Sequence, residues 1–286
     1  MFDNDNFRPG GKLKLKDKST DYSAGYASKE AAQERTEKNI DRMARMQDIL
    51  YAQDKYALLI IIQAMDAAGK DGVIKHVMSG LNPQGTMVHS FKRPSAEELD
   101  HDYLWRYTKA LPERGRIGIF NRSYYEDVLV VRVHNLIETQ QHLPPALITK
   151  NVWKERLEDI GHLEKYLHRN GIVVLKFYLH VSRQEQKERL LARLDEPDKN
   201  WKFNAGDLEE RKHWDTYRNY AEEAIDATDT DYAPWYIIPA DKKWFARMAI
   251  SEIIADTLEA MKLEYPRLNE DQKKMLAVYR AQLLED

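Results

Sequence analysis

One stretch decides the fold of this 286-residue chain: Ala64-Met65-Asp66-Ala67-Ala68-Gly69-Lys70-Asp71-Gly72. The apolar run 56–62 before it predicts a strand buried on both faces, and residues 73–78 after it predict a helix. A strand, a loop of small residues with Gly-Lys, and a helix are typical of a phosphate-binding loop. Small residues let backbone N–H groups close around an anion, while the helix N-terminus and Lys70 add positive charge.

The loop departs from the usual pattern G-x-x-x-x-G-K-[ST] at two positions. Ala64 stands at the first glycine, and Asp71 stands where a serine or threonine would ligate Mg²⁺. A bound metal therefore needs another ligand, and Asp66 inside the loop is the candidate. An ordinary strand-to-helix turn is the alternative interpretation. The predicted phosphate-binding residues of the loop are Ala67, Ala68, Gly69, Lys70, Asp71 and Gly72.

Composition limits the classes of function. The chain has no cysteine, which excludes disulfides, thiolate metal sites and cysteine catalysis. No apolar run approaches the about 18 residues that span a membrane, and the first residues lack the apolar segment of a secretory signal. We therefore expect a cytoplasmic protein without a membrane partner. The net charge is −3, and no basic stripe indicates nucleic-acid binding, so an anion site must concentrate its cations locally.

Strands alternate with helices along most of the chain, which predicts one α/β domain over residues 1–286. Residues 1–28 form a polar N-terminal arm with lysines at positions 12, 14, 16 and 18. This arm either lies on the domain or is a solvated tail, and the tail is the simpler interpretation. Ser95 and Glu98 predict a capping box that opens a helix to about residue 111. Strands are predicted at 56–62, 86–91, 117–120, 172–179 and 235–238, and further helices at 29–51, 148–169, 182–194, 207–227, 242–263 and 268–284.

A second group of charged residues follows the predicted strand 117–120. Ligands of open parallel sheets bind at the carboxyl ends of strands, and this end carries Arg122, Glu126 and Asp127. In phosphate-loop proteins a second strand delivers an acid to the metal, which makes Glu126 and Asp127 candidates. Alternatively, both acids belong to the first turn of a helix, where the dipole favours them. Arg132 adds positive charge near this predicted site.

The polar segment 195–207 lies between two predicted helices and contains or adjoins several basic residues. Such a segment is where small-molecule kinases carry a lid, which closes over phosphates and excludes water. We therefore predict that Arg193, Lys199 and Lys202 bind phosphate. A solvated helix face with matched acids is the alternative. Together with the loop and the group after strand 117–120, this lid favours phosphoryl transfer, because that reaction requires alignment and charge neutralisation.

Four motifs occur in an order that resembles the family-2 polyphosphate kinases, over about residues 30–265. The resemblance implies a thymidylate-kinase-like fold, a three-layer αβα sandwich with a central parallel sheet and a helical lid. It also implies phosphate transfer between inorganic polyphosphate and nucleotides with Mg²⁺, or Mn²⁺ in its place. The motifs are Asp66-Ala67-Ala68-Gly69-Lys70-Asp71-Gly72, Phe120-Asn121-Arg122-Ser123-Tyr124-Tyr125-Glu126-Asp127-Val128-Leu129, Trp201-Lys202-Phe203 with Asp207-Leu208, and Ala233-Pro234-Trp235.

The resemblance also assigns roles to residues. Asp66, Gly69 and Lys70 match the Walker A loop of the family, Arg122 matches its Walker B region, and 195–207 matches its lid. Many members carry Asp at the position of Asn121, so another acid must replace it, and we predict that Asp127 forms the metal pair with Asp66. Arg122 and Arg132 are expected to steady the transferring group. The predicted catalytic residues are Asp66, Lys70, Arg122, Glu126, Asp127 and Arg132.

The sequence from Asn121 to Glu126-Asp127 is similar to the class III subgroup, which phosphorylates both AMP and ADP. The expected partners are inorganic polyphosphate, adenine or guanine nucleotides, and further copies of the chain in a homodimer or homotetramer. Two alternatives stay open. One is a nucleoside-monophosphate kinase that uses ATP on the same fold, and the other is a regulator that binds nucleotides or polyanions without catalysis. Lys70→Ala or Asp127→Asn is predicted to lower kcat by orders of magnitude.

Overall fold

A five-stranded parallel sheet forms the centre of the computed structural model, which describes residues 2–26 and 28–285. The order of the strands is β2-β3-β1-β4-β5. β1 and β3 are buried along almost their whole length, as expected for parallel strands covered on both faces. The strands are β1 Ala57–Ala64, β2 Thr86–Ser90, β3 Ile117–Asn121, β4 Ile172–His180 and β5 Trp235–Pro239.

Helices cover both faces of this sheet and make the three-layer αβα sandwich that the sequence predicts. The side chains of β1 alternate between two cores: Ile60 packs in one and Ile61 in the other. The helices are α1 Lys29–Gln53, α2 Lys70–Val77, α3 Ala96–Leu99, α4 Trp105–Thr108, α5 Val130–Val133, α6 Leu136–Thr139, α7 Val152–Arg169, α8 Arg183–Asp195, α9 Gly206–Lys212, α10 Trp214–Thr228, α11 Lys243–Ala260 and α12 Glu270–Glu285. None of these helices is long and apolar enough to cross a membrane.

The strand register brings the predicted site segments together. Ile62 of β1 is level with Asn121 of β3 and with Phe177 of β4. The loop after β1 and the charged group after β3 therefore leave the sheet side by side, at its carboxyl edge. The lid segment 195–207 follows α8 and contains a 3₁₀ helix, Pro197–Lys202, before α9 begins.

The predicted helix from Ser95 to residue 111 is wrong in its length. Its start is confirmed, because Ser95 and Glu98 form the capping box. The helix ends at Leu99, and a second short helix, α4, begins at Trp105. Asp102 lies between the two and accepts a hydrogen bond from the Leu104 N–H at 2.9 Å. Such local side-chain bonds give the backbone an alternative to a continuous helix.

The N-terminal arm lies on the domain, so the solvated-tail interpretation is wrong. The side chains of Phe7, Leu13 and Leu15 are buried. The Leu13 N–H donates to Asp226 and the Leu15 N–H donates to Glu222, each at 2.8 Å, on α10. Burial of three apolar side chains and these charge-assisted hydrogen bonds fix the arm.

Candidate active site

The loop between β1 and α2 has the conformation of an anion-binding turn. Ala67 has a φ of +61° and Gly69 a φ of +111°, and Gly69 is the residue before α2. A side chain at a φ of +111° would strain the backbone, which explains the glycine. Residues 66–72 all line one large cleft. The predicted phosphate-binding residues Ala67, Ala68, Gly69, Lys70, Asp71 and Gly72 are thus brought together.

Lys70 is a buried cation whose partners are main-chain oxygens. Its Nζ donates to the carbonyls of Ala64 at 3.0 Å and of Met65 at 3.3 Å. Burial lowers the pKa of Lys70, and Arg122 lowers it further. Among residues 2–26 and 28–285, no carboxylate lies within ion-pair distance of Lys70. An entering phosphate oxygen would supply the charge compensation that the protein leaves out.

Two acids flank Arg122 directly after β3. An Nη2 hydrogen of Arg122 bonds Asp66 Oδ1 at 2.7 Å, and Nη1 lies 3.9 Å from Glu126 Oε2. Glu126 also accepts a hydrogen bond from Gln63 at 2.6 Å. The negative charge of Glu126 raises the pKa of Arg122, which stays fully protonated. Asp66, Arg122 and Glu126 therefore form one charged group, as predicted for three of the catalytic residues.

The two unusual residues of the motifs contact each other. Asn121 donates a hydrogen bond from its side-chain amide to Asp71 Oδ1 at 2.7 Å. Asp71 occupies the usual serine or threonine position, and Asn121 occupies the position of a frequent aspartate. An aspartate at 121 would place a second negative charge against Asp71, whereas the neutral amide donates to it.

The large cleft has a volume of about 950 Å³ and is lined by cations. Eleven lysines and arginines line it, against six aspartates and glutamates. In a chain with a net charge of −3, this local excess produces a positive field that attracts polyanions. The cations are Lys70, Lys75, Lys92, Arg93, Arg122, Arg189, Arg193, Lys199, Lys202, Lys243 and Arg247.

The lid contributes the cations that the sequence predicts. Arg193, Lys199 and Lys202 all line the large cleft together with the loop. Arg193 donates to Asp207 at 2.6 Å, and Lys199 forms an ion pair with Glu196. The predicted phosphate-binding residues of the loop and of the lid therefore line the same cleft, although they are more than 120 residues apart in sequence.

Arg189 joins the loop to the end of β5. Its Nη1 donates to the carbonyls of Ala67 at 3.1 Å and Ala68 at 2.6 Å. Its Nη2 donates to the carbonyls of Ala240 at 2.6 Å and Asp241 at 3.1 Å. Four main-chain oxygens thus hold this guanidinium, which fixes the loop conformation.

A small cavity of about 170 Å³ meets the large cleft at Asp66 and Arg122, which line both. Its other walls are largely apolar and aromatic, and they include Leu129, Trp214 and Tyr217. Tyr217 donates a hydrogen bond to Glu210 at 2.5 Å, within the same cavity. The cation-lined large cleft and the largely aromatic small cavity therefore adjoin at the ion pair of Asp66 and Arg122.

A family model described as Polyphosphate kinase 2 (PPK2) matches residues 26–266. The chain belongs to the polyphosphate kinase 2 family. The matched range includes the loop, the charged group after β3 and the lid, so every motif discussed above lies inside it.

Relatives in the PPK2 family match almost the full chain. The ADP-polyphosphate phosphotransferase of Rhodopseudomonas palustris is 50% identical over 277 residues, which are 96% of each chain. The AMP/ADP-polyphosphate phosphotransferase of Meiothermus ruber is 44% identical over 91% of this chain and 94% of its own. The crystal structure of Polyphosphate Kinase 2 from Arthrobacter aurescens TC1 superposes with a TM-score of 0.88 at 36% identity, over 98% of this chain and 96% of that one.

The predicted metal pair of Asp66 and Asp127 does not form in this PPK2 protein. Asp127 is buried, and its carboxylate accepts hydrogen bonds from Tyr107 at 2.8 Å and Gln141 at 2.7 Å. It lines a separate cavity of about 100 Å³, which Asp66 does not reach. Burial raises the pKa of Asp127 to about 6. The 3₁₀ helix Tyr124–Asp127 explains the difference, because successive side chains of such a helix point to different sides.

Arg132 is also placed elsewhere than predicted. Its guanidinium lies 3.9 Å from the centre of the Tyr220 ring and donates to Glu223 at 2.8 Å. Both partners belong to α10. Arg132 lines neither the large cleft nor the small cavity. The expectation that it steadies the transferring group is therefore not supported, because stacking and an ion pair already hold its charge.

Five cations of the large cleft escaped the sequence reasoning. Two follow β2, two follow β5 and one lies on α2 after β1, so the rule that ligands bind at carboxyl ends of strands was a signal that identifies them. These residues are Lys75, Lys92, Arg93, Lys243 and Arg247.

The donor set beside Arg122 fits a magnesium ion that arrives with phosphates. In the described ranges, no three histidines, aspartates or glutamates cluster as a metal cage. Mg²⁺ is usually held by one or two carboxylates together with substrate phosphates and water. Asp66 and Glu126 supply two carboxylates, and the buried Gln63 Oε1 next to Glu126 has no hydrogen-bond partner among the described residues. By position, Asp66 and Glu126 fit such an ion better than the predicted pair of Asp66 and Asp127, and the use of magnesium stays a prediction.

Proposed function

We propose that this protein is a cytoplasmic, polyphosphate-dependent nucleotide kinase. It transfers a phosphoryl group reversibly from inorganic polyphosphate to AMP and ADP, and it uses Mg²⁺, or Mn²⁺ in its place. The observation that carries the proposal is the meeting of the cation-lined cleft and the small aromatic cavity at Asp66 and Arg122. The printed names of the relatives from R. palustris and M. ruber describe this chemistry for those proteins.

The large cleft suits a phosphate chain better than a nucleoside as the donor. A nucleoside donor requires apolar or aromatic surface for its base. Among the described residues that line the cleft, Phe91 supplies the one phenyl ring, beside eleven cationic side chains. This ratio favours polyphosphate over ATP and separates the proposal from an ATP-dependent nucleoside-monophosphate kinase, which is the alternative on the same fold.

The small cavity suits part of the acceptor nucleotide. Leu129, Trp214 and Tyr217 provide apolar contact, and Glu210 and Arg211 provide polar contact. Both purines offer a flat ring face to these aromatic side chains, so guanine nucleotides are proposed as acceptors beside adenine nucleotides. We further propose a homodimer or homotetramer, which the family resemblance implies.

Catalysis would come from the positions of charged groups. Lys70 and Arg122 stabilise the negative charge of the transferring phosphoryl group, and the lid residues Arg193 and Lys202 hold the chain and exclude water. Asp66 and Glu126 would hold Mg²⁺, which when bound neutralises phosphate charge. The terminal oxygen of an AMP or ADP phosphate is already ionised at neutral pH, so no side chain needs to act as a general base.

The test is incubation of the purified protein with Mg²⁺ and long-chain polyphosphate, separately with AMP and ADP, followed by chromatography of the nucleotides. We expect ATP from ADP, and ADP followed by ATP from AMP. A parallel preparation of Lys70→Met detects contaminating kinases, since only the activity of this protein depends on Lys70. Turnover of AMP with ATP, and none with polyphosphate, would overturn the proposal in favour of the ATP-dependent kinase.

A further inference from the structure

The alternating lysines of the N-terminal arm have no part in the proposed reaction. Leu13 and Leu15 are 1% and 0% exposed and face the domain, and a 3₁₀ helix, Leu15–Asp17, begins at the second of them. Lys14 forms an ion pair with Glu222 at 3.2 Å. The buried leucines and the ion pair of Lys14 therefore fix the arm on the domain, and this places Lys16 and Lys18 at defined positions on the surface.

The next part of the arm crosses the carboxyl ends of β4 and β5. His180, the last residue of β4, contacts the Lys18 carbonyl through Nε2 at 3.1 Å. Thr20 donates from Oγ1 to Asp241 at 2.6 Å, and its carbonyl accepts the Asp241 N–H at 3.0 Å. These contacts bring the arm to the edge of the sheet where ligands of parallel sheets bind.

A cavity of about 440 Å³ lies under the arm, and we call it the arm cavity. Lys16, Lys18, Arg183 and Arg218 line it, against one acid, Asp215. Arg218 pairs with Asp215 at 2.9 Å. In the part of the chain that the structure describes, Lys16 and Arg183 have no carboxylate partner. The arm cavity is thus strongly cationic.

The start of α8 adds to this positive potential. Ser182 lines the arm cavity and is the N-cap of α8, a helix of 13 residues whose dipole is positive at this end. Asp241 offsets part of this potential, because its carboxylate accepts the Ser182 N–H at 2.7 Å. Arg211, in the neighbouring small cavity, has a pKa lowered mainly by burial and further by repulsion from Arg183. The positive field of Arg183 therefore extends toward the small cavity.

The arm cavity adjoins the small cavity of the site. Met65, Tyr178 and Trp214 line both the arm cavity and the small cavity. We propose that the arm cavity is a second phosphate-binding site, separate from the large cleft, which takes either a segment of a polyphosphate chain or free inorganic phosphate. Lys16 and Arg183 carry this site because their charges are uncompensated, and a group of phosphate oxygens supplies several acceptors for them.

The test is calorimetric titration with tripolyphosphate in the absence of nucleotide. We compare Lys16→Glu/Arg183→Glu with Lys12→Glu, which reverses a charge on the same arm outside the cavity. The wild type and Lys12→Glu should show two classes of site, and the double variant should weaken one class by about tenfold or more. Wild-type stoichiometry and affinity in the double variant would overturn the proposal. Unchanged thermal unfolding of the variants checks their folding.

Kinetics separate the two sources of phosphate. If the site holds the chain, the double variant raises KM for long-chain polyphosphate more than KM for short chains, because a second contact along one chain is lost. If it holds free phosphate, KM stays unchanged and the effect of added orthophosphate on the rate disappears. Binding is measured without turnover, so this result stands or fails independently of the kinase activity proposed above.

Discussion

Two buried lysines, one on the sheet and one at the start of α2, have opposite surroundings. Lys176, on β4, pairs with Glu164, and it donates to the Thr228 carbonyl at 2.8 Å and lies 3.2 Å from the Tyr125 hydroxyl. Lys70, in the loop after β1, has two main-chain carbonyls as partners. Burial lowers the pKa of both. Lys176 is 0% exposed and Lys70 is 9% exposed. Only Lys176 has a carboxylate at ion-pair distance, whereas Asp66, Glu126 and Asp71 act on Lys70 from farther away.

This difference separates a structural cation from a functional one. Removing a buried charge from a satisfied ion pair leaves its partner uncompensated, which costs stability. Removing a buried charge that has no ionic partner relieves a desolvation penalty. Lys70 is therefore kept at a cost in stability, and a ligand that brings negative charge explains why.

The sharpest test of this contrast is Lys70→Met. We expect kcat for ATP formation from ADP and polyphosphate to fall by about 10³-fold or more, because the transferring group loses a preorganised charge. The midpoint of thermal unfolding should stay equal or rise. Lys154→Met is the control, since Lys154 is an exposed cation paired with Glu158. Retention of about a tenth of the wild-type kcat would contradict the assignment of Lys70.

Lys176→Met should behave in the opposite way. We expect the free energy of unfolding to fall by about 3–5 kcal/mol, because Glu164 stays buried without its cation. Lys176→Met/Glu164→Gln should recover most of this loss, since glutamine still accepts hydrogen bonds from the hydroxyls of Tyr124 and Tyr125. Urea denaturation measures all three proteins. A double variant no more stable than the single variant would show that the ion pair does not determine the effect.

The two neighbouring acids extend the comparison. Glu126→Gln should lower kcat on the order of 10–100-fold and raise the Mg²⁺ concentration needed for half-maximal rate, because it removes a carboxylate beside Arg122. Asp127→Asn should leave the Mg²⁺ dependence unchanged, since Asp127 bonds Tyr107 and Gln141 inside the protein. Magnesium titrations of the initial rate measure both. The reverse pattern would restore the pair of Asp66 and Asp127.

Asp127 also makes stability depend on pH. Its pKa is raised by burial from 3.8 to about 6, so the folded state binds a proton that the unfolded state has released between these values. This contribution to stability is complete below pH 3.8 and is lost as pH rises through about 6. Between pH 5 and 7 the wild type should lose about 1 kcal/mol more than Asp127→Asn. Urea denaturation at the two pH values measures it, and equal losses would argue against the raised pKa.

Arg132→Gln should have the smallest effect. Its contacts with Tyr220 and Glu223 predict a loss of about 0.5–1 kcal/mol in stability and a kcat within about twofold of wild type. Initial rates and thermal unfolding measure both quantities. A large fall in kcat at unchanged stability would return Arg132 to the site.

The local patterns of the sequence predict the strands and the loop well. Apolar runs mark β1, β3, β4 and β5, and Gly69-Lys70 between a strand and a helix marks the loop, because these signals depend on neighbours in sequence. The side to which the Asp127 side chain points is not predictable from neighbours in sequence. It depends on Gln141 and on Tyr107, which reach it through the packing of other segments.

Long-range packing likewise explains the error at Arg132. The stacking of Arg132 on Tyr220 joins residues almost ninety positions apart, and no local pattern contains that contact. The arm is an intermediate case. The alternation of Leu13 and Leu15 with lysines is a local signal that one side of the arm is buried. The residues that bind the arm, Glu222 and Asp226, lie on a helix that is distant in sequence.

Arg189 also fixes the part of α8 that precedes the lid. Its four hydrogen bonds make the first half of α8 part of the same rigid frame as the loop and the end of β5. Beyond Leu190 the helix carries the exposed Leu191 and Leu194 and then the lid. We therefore expect the part of α8 up to Arg189 to stay with the loop and the end of β5 if the lid closes, so that any movement begins after residue 190.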